Sequence, residues 1–125
     1  MSHSARVRVT RTFVAHLDAI RDFLIEADAG DVFERLLAEL QEKVIPELAA
    51  FPRLGRDFLA RSPRSVQGTL RRDRLRERLG PDVEVRELIH GEHLILYATR
   101  QDAVFLLAIR HHRQLAFDFL SLWVD

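Results

Sequence analysis

Residues 104–109, Val-Phe-Leu-Leu-Ala-Ile, form an unbroken apolar run that ends abruptly in Arg110-His111-His112-Arg113. Six apolar residues rich in β-branched and aromatic types, with no Gly or Pro, read as a strand buried on both faces. The four polar residues then sit at the C-terminal rim of that strand. Alternation places Arg110 and His112 on one face, and His111 and Arg113 on the other. If the chain has a functional site, it is expected at this rim.

The preceding residues supply neighbours for the strand. Residues 83–89 and 93–99 have strand character, with turns at His90-Gly91-Glu92 and Arg100-Gln101-Asp102. Together with the Val104 run they read as an antiparallel meander of three strands. At the other end, residues 6–12 alternate polar positions with Val7 and Val9, a short strand with one buried face. Residues 13–27 then carry Leu17, Ile20, Leu24 and Ala27 at helical spacing, with Arg21, Asp22 and Glu26 among the outward positions.

Asp28-Ala29-Gly30 breaks this helix. Asp31 reads as the N-cap of a second one, with Glu34 completing a capping-box pattern. The second helix carries Phe33, Leu37, Leu40, Val44, Leu48 and Phe51 along one stripe. So short a break makes the two helices an antiparallel hairpin. Pro46 lacks an N–H and clashes with the preceding turn, so it should kink or divide the second helix near Val44. Phe51-Pro52-Arg53-Leu54-Gly55-Arg56 is a helix exit and turn. Leu70, Leu75 and Leu79 suggest a short helix stopped by Gly80-Pro81, and residues 115–124 form a very apolar tail. The expected fold is α+β, in the order βααβββ with an extra helical segment before the last three strands.

With 125 residues, a single domain is expected across residues 1–125. The chain has no cysteine, so disulfides and thiolate metal sites are excluded. Met-Ser-His-Ser-Ala-Arg at the start lacks the apolar core of a signal peptide, and no apolar run approaches the ~18 residues of a membrane span. A cytoplasmic location is expected. A net charge of zero hides an asymmetry, because residues 53–86 hold ten arginines against five acidic residues and the remainder is acidic. Lys43 is the only lysine.

The element order and three local sequences resemble the RelE/ParE superfamily of type II toxin–antitoxin toxins. The first is the opening strand and helix, Val7 to Leu24, where a polar strand end runs straight into Phe13-Val14-Ala15. The second is Phe51-Pro52-Arg53-Leu54-Gly55-Arg56, similar to the family's turn after the helical hairpin. The third is Leu94-Ile95-Leu96-Tyr97 with residues 104–114, which resembles the last two strands and the His-Arg ending of ParE-like members, plasmid stabilisation proteins among them. The resemblance implies a helical hairpin packed on one face of a small, mostly antiparallel sheet. It implies growth inhibition by the toxin, a cognate antitoxin as partner, and no cofactor. Residues 57–82 are longer and more arginine-rich than the family pattern.

Two mechanisms follow from that resemblance. The ParE-like one is a non-enzymatic arrest of DNA gyrase. The RelE-like one is ribosome-dependent cleavage of mRNA, which needs a base for the 2′-hydroxyl, cations for the phosphate and an acid for the leaving oxygen. His112 and Arg110 would be the catalytic pair in that case. The candidate target or antitoxin contacts are Arg110, His111, His112, Arg113, Tyr97, Arg72, Arg76 and Trp123. Tyr97 would stack or transfer a proton beside the rim; otherwise it is a core aromatic. Arg71, Arg72, Arg74, Arg76 and Arg78 alternate with Asp73 and Glu77, as a solvated helix face or a dock for an acidic antitoxin segment does. Phe117, Phe119, Leu120, Leu122 and Trp123 would cover the core or anchor a partner. His90, Glu92 and His93 across a tight turn are not a ligand set, so no metal is expected. A non-toxic arginine-rich nucleic-acid-binding domain is a further alternative, and its binding would weaken steeply with salt. The ParE-like ending and the single lysine favour the gyrase reading.

Overall fold

The computed structural model describes residues 4–57, 80 and 82–111. The helix expected near residues 69–79, the arginine run with Arg72 and Arg76, the rim residues His112 and Arg113, and the tail with Trp123 lie outside the described residues.

The chain runs β1 (Arg6–Val9), α1 (Arg11–Glu26), α2 (Gly30–Glu39), a π-helical turn (Leu40–Val44) and α3 (Ile45–Ala50). It continues through β2 (Arg56–Asp57), β3 (Glu84–His90), β4 (His93–Arg100) and β5 (Ala103–His111). The five strands form one sheet in the order β1-β5-β4-β3-β2. β3, β4 and β5 form the expected antiparallel meander, and β1 lies parallel to β5. The fold is thus α+β, with a helical hairpin against a mixed sheet. β2 has no counterpart in the expected order: only Arg56 and Asp57 pair, opposite Glu87 and Arg86, too few to leave an alternation signal.

β1 is shorter than its sequence pattern because Thr10 ends it. The Thr10 hydroxyl accepts from the Phe13 N–H at 3.3 Å and donates to the Leu106 carbonyl at 2.8 Å. One side chain therefore caps α1 and ties it to the central strand. At the second helix the cap expectation is corrected. Ala29 occupies the N-cap position without a side-chain bond, and Asp31 lies inside the first turn. The helix starts two residues earlier than Asp31 would require, so its carboxylate lies in the first turn, near the positive helix end, instead of capping it.

Pro46 divides the second helix as expected. Its missing N–H falls just after a wide turn in which Ile45 N–H bonds back to the Leu40 carbonyl, five residues away. The wide turn also adjusts the apolar stripe. Leu36, Leu40, Val44 and Leu48 are all buried, at a uniform spacing of four. In a regular α-helix that spacing drifts ~40° per step; one extra residue in a turn takes up part of the drift and keeps the stripe on the sheet. Leu36, not Leu37, is the buried leucine of the first half. Phe51 is 66% exposed because the helix has already ended at Ala50.

The core lies between this stripe, α1 and one face of the sheet. It contains Phe13, Leu36, Leu40, Val44, Leu48, Ile95, Tyr97, Val104, Leu106 and Ile109, with Leu17 and Ile20 packed against it. On this side Val104, Leu106 and Ile109 of the strand are all buried. On its other face Ala108 is buried but Phe105 and Leu107 are only partly so, and burial on both faces does not extend along the whole run. A β-bulge explains the pattern. Leu96 pairs with Ala108 while Tyr97 pairs with Leu106, which leaves Leu107 as an extra residue. Ile109 is thereby returned to the helix side with Leu106, and Arg110 is turned to the opposite face.

Candidate functional site: the two faces of the sheet end

Arg110 is opposite Leu94 across β4, and both belong to the face away from the helices. In the adjoining row, Arg56, Glu87, Leu96 and Ala108 lie side by side on that face. Glu87 is 3% exposed, and its carboxylate accepts from Arg56 Nη2 at 3.0 Å. Burial pushes the Arg110 guanidinium below its ordinary value, and the negative charge of Glu87 opposes that shift. Arginine stays charged regardless, since its ordinary pKa is above ~12. The face thus carries a buried carboxylate with arginines on β2 and β5, an arrangement suited to holding cations in fixed positions.

The other rim residues point elsewhere. His111 is opposite His93, which is opposite His90, so three histidines form a row across β5, β4 and β3 on the helix side. The rings of His93 and His111 meet edge-on with centroids 5.6 Å apart. His90 Nε2 lies 2.8 Å from a Glu39 carboxylate oxygen at the end of α2, and His111 Nε2 lies 3.2 Å from one of Glu92. Burial, followed by the neighbouring His111, lowers the pKa of His93, while Glu92 and Glu39 pull it the other way. Among the described residues, no three His, Asp or Glu side chains converge as a metal-holding set.

Tyr97 is corrected as a member of the Arg110 site. It lies on the helix side, fully buried. Its hydroxyl donates to the Pro52 carbonyl at 2.9 Å and accepts from the Gly55 N–H at 2.8 Å. Gly55 is required there, because a Cβ would come within 2.6 Å of the Glu87 carbonyl and 2.9 Å of the Tyr97 ring. Arg53 holds Glu84 through two bonds, at 2.7 and 3.2 Å. Arg86 joins the same carboxylate and donates to the Gly55 carbonyl at 2.7 Å. Arg53 foremost, then Arg86, keeps Glu84 below the usual carboxylate range despite its partial burial. The clamp delivers Arg56 to β2, opposite Glu87.

This geometry coincides with a family match over residues 7–116, to the model described as the ParE toxin of the type II toxin–antitoxin system parDE. The chain belongs to the ParE toxin family. A solved chain titled as the chromosomal ParDE TA system from P. aeruginosa shares its fold, with a TM-score of 0.53 at 19% identity. That likeness covers 88% of this chain and 98% of that one. No curated protein matches the chain.

In this ParE-family toxin, the turn at residues 51–56 and Tyr97 prove to be parts of one clamp. Sequence reasoning missed Arg56 and Glu87. Their signal was faint: an acidic residue at a strand position flanked by Val85, Leu88 and Ile89, which requires a cation once the face is covered.

Proposed function

We propose that this toxin is neutralised by a cognate antitoxin encoded beside it, and that it arrests DNA gyrase by contact rather than cleaving mRNA. The observation that carries the reading is the match to the ParE toxin model over residues 7–116, and the separation of Arg110 from the described histidines agrees with it. Arg110 belongs to the face away from the described helices, while His90, His93 and His111 belong to the helix side and Tyr97 is sealed in the core. A nuclease needs its cation and its proton-transfer groups around one phosphate. Fixed arginines beside Glu87 suit a charged contact surface instead. His112, Arg113, Arg72, Arg76 and Trp123 remain the proposed partners of Arg110 and His111 in target or antitoxin contact. The antitoxin would bring an acidic, apolar segment to the sheet and to the basic stretch.

Expression without antitoxin tests the reading. Gyrase arrest gives DNA damage and filamentation, whereas an mRNA endonuclease gives immediate arrest of translation. His112→Gln should leave toxicity largely intact and Trp123→Ala should reduce it. If His112 shuttles a proton, His112→Gln loses ~10²–10⁴ in cleavage rate, because an amide cannot exchange a proton near neutral pH. Loss of toxicity in His112→Gln together with ribosome-dependent cleavage by the parent would overturn the gyrase assignment.

A further inference from the structure

The outer surface of α1 carries a stripe that the described elements leave exposed. Phe13, Leu17 and Ile20 serve the core, whereas Val14, Asp18, Arg21 and Ile25 follow one another at intervals of four, three and four. That spacing is the seam of a pair of packed helices. Val14 is 45% exposed and Ile25 59%, and the side chains of Asp18 and Arg21 are similarly open at 54% and 46%. Asp18 and Arg21 already pair within the helix at 3.5 Å.

The order of the stripe is what identifies its partner. Read forwards it is apolar, acidic, basic, apolar; read backwards it is apolar, basic, acidic, apolar. A two-fold axis between Asp18 and Arg21 sets Val14 against Ile25 of a second α1, and Asp18 against Arg21, twice over. A parallel pairing would set acid against acid and base against base, so the charges also select the direction. We propose that this stripe joins two copies of the chain through antiparallel α1 helices. An isologous contact requires such self-complementarity. The formal net charge of zero means that no long-range repulsion opposes the approach of two copies. A 16-residue helix spans only ~24 Å, so the contact is small and the association is of the weak, micromolar kind. The inference is independent of which cellular target the toxin has.

Two experiments on the full chain test it. In sedimentation equilibrium from micromolar to several hundred micromolar, the parent should dimerise reversibly. Arg21→Asp and Asp18→Arg should each weaken dimerisation at least about tenfold, and the combined swap should restore it, because it rebuilds the same complementarity in reverse. Restoration also shows that the single variants did not fail by misfolding. A monomeric parent, unaffected single variants or an unrestored swap would each overturn the proposal, as would variants that lose only antitoxin binding.

The second experiment uses the absence of native cysteine. Val14→Cys and Ile25→Cys chains, mixed and oxidised, should form a disulfide-linked dimer. Neither should do so alone, since like positions lie ~16 Å apart along antiparallel helices, beyond disulfide reach. Equal cross-linking of each variant by itself, or none in the mixture, refutes the antiparallel pairing.

Discussion

The Tyr97 hydroxyl meets the Gly55 N–H and the Pro52 carbonyl, so removing one oxygen disturbs two backbone groups. Tyr97→Phe should lower unfolding stability by about 1–3 kcal/mol, because both groups lose a partner where water is scarce. Gly55→Ala should also destabilise, since its new methyl meets rigid backbone as well as the tyrosine ring. Urea titrations of the two variants check both, and an unchanged midpoint for Tyr97→Phe would show that the turn does not depend on the clamp. The histidines add a pH dependence. His93 and His16 both have folded pKa values lowered, chiefly by burial. The unfolded chain therefore takes up protons first as pH falls below the ordinary histidine value of ~6.5. Stability should be full above that value and decline as pH drops through the folded pKa values. The urea midpoint should be lower at pH 5 than at pH 7.5, and a double His16→Gln/His93→Gln variant should show a shallower fall.

Among the elements, the divided second helix has the most to answer for. Pro46 alone announces an interruption, but its form depends on the sheet beneath. Leu36, Leu40, Val44 and Leu48 must all reach the core, and a wide turn after Glu39 lets a four-residue spacing do so. Leu40 is 3% exposed at the start of that turn. Leu40→Ala should cost about 2–5 kcal/mol by leaving a cavity against the sheet. Thermal melting checks it, and an unshifted transition would place the helix stripe outside the core. The hairpin, the meander and the Pro46 break were legible because periodicity and punctuation are local signals. β2, the Ala29 cap and the choice of Leu36 over Leu37 were not, since each depends on where a neighbouring segment lies.

Across the whole molecule, the two faces of the sheet divide the rim residues. The helix face takes Tyr97 and the histidine row, and the other takes Arg56, Glu87 and Arg110. Among the described residues no helix is long and apolar enough to cross a membrane. The toxicity comparison of His112→Gln with Trp123→Ala belongs at this level.

The chain by itself determined the α+β order, the hairpin and the family, because apolar spacing, turn residues and the Phe51–Arg56 and Val104–Arg113 sequences are local in kind. It also determined that Arg110 and His111 must face opposite ways, since strand alternation requires it. Which way each faces was decided only in three dimensions. The extra residue at Leu107 inverts the alternation set by Val104 and Leu106. It sends Arg110 to the face away from the described helices and Ile109 into the core. A bulge arises from how two strands settle against each other, and nothing in the run Val-Phe-Leu-Leu-Ala-Ile marks its position.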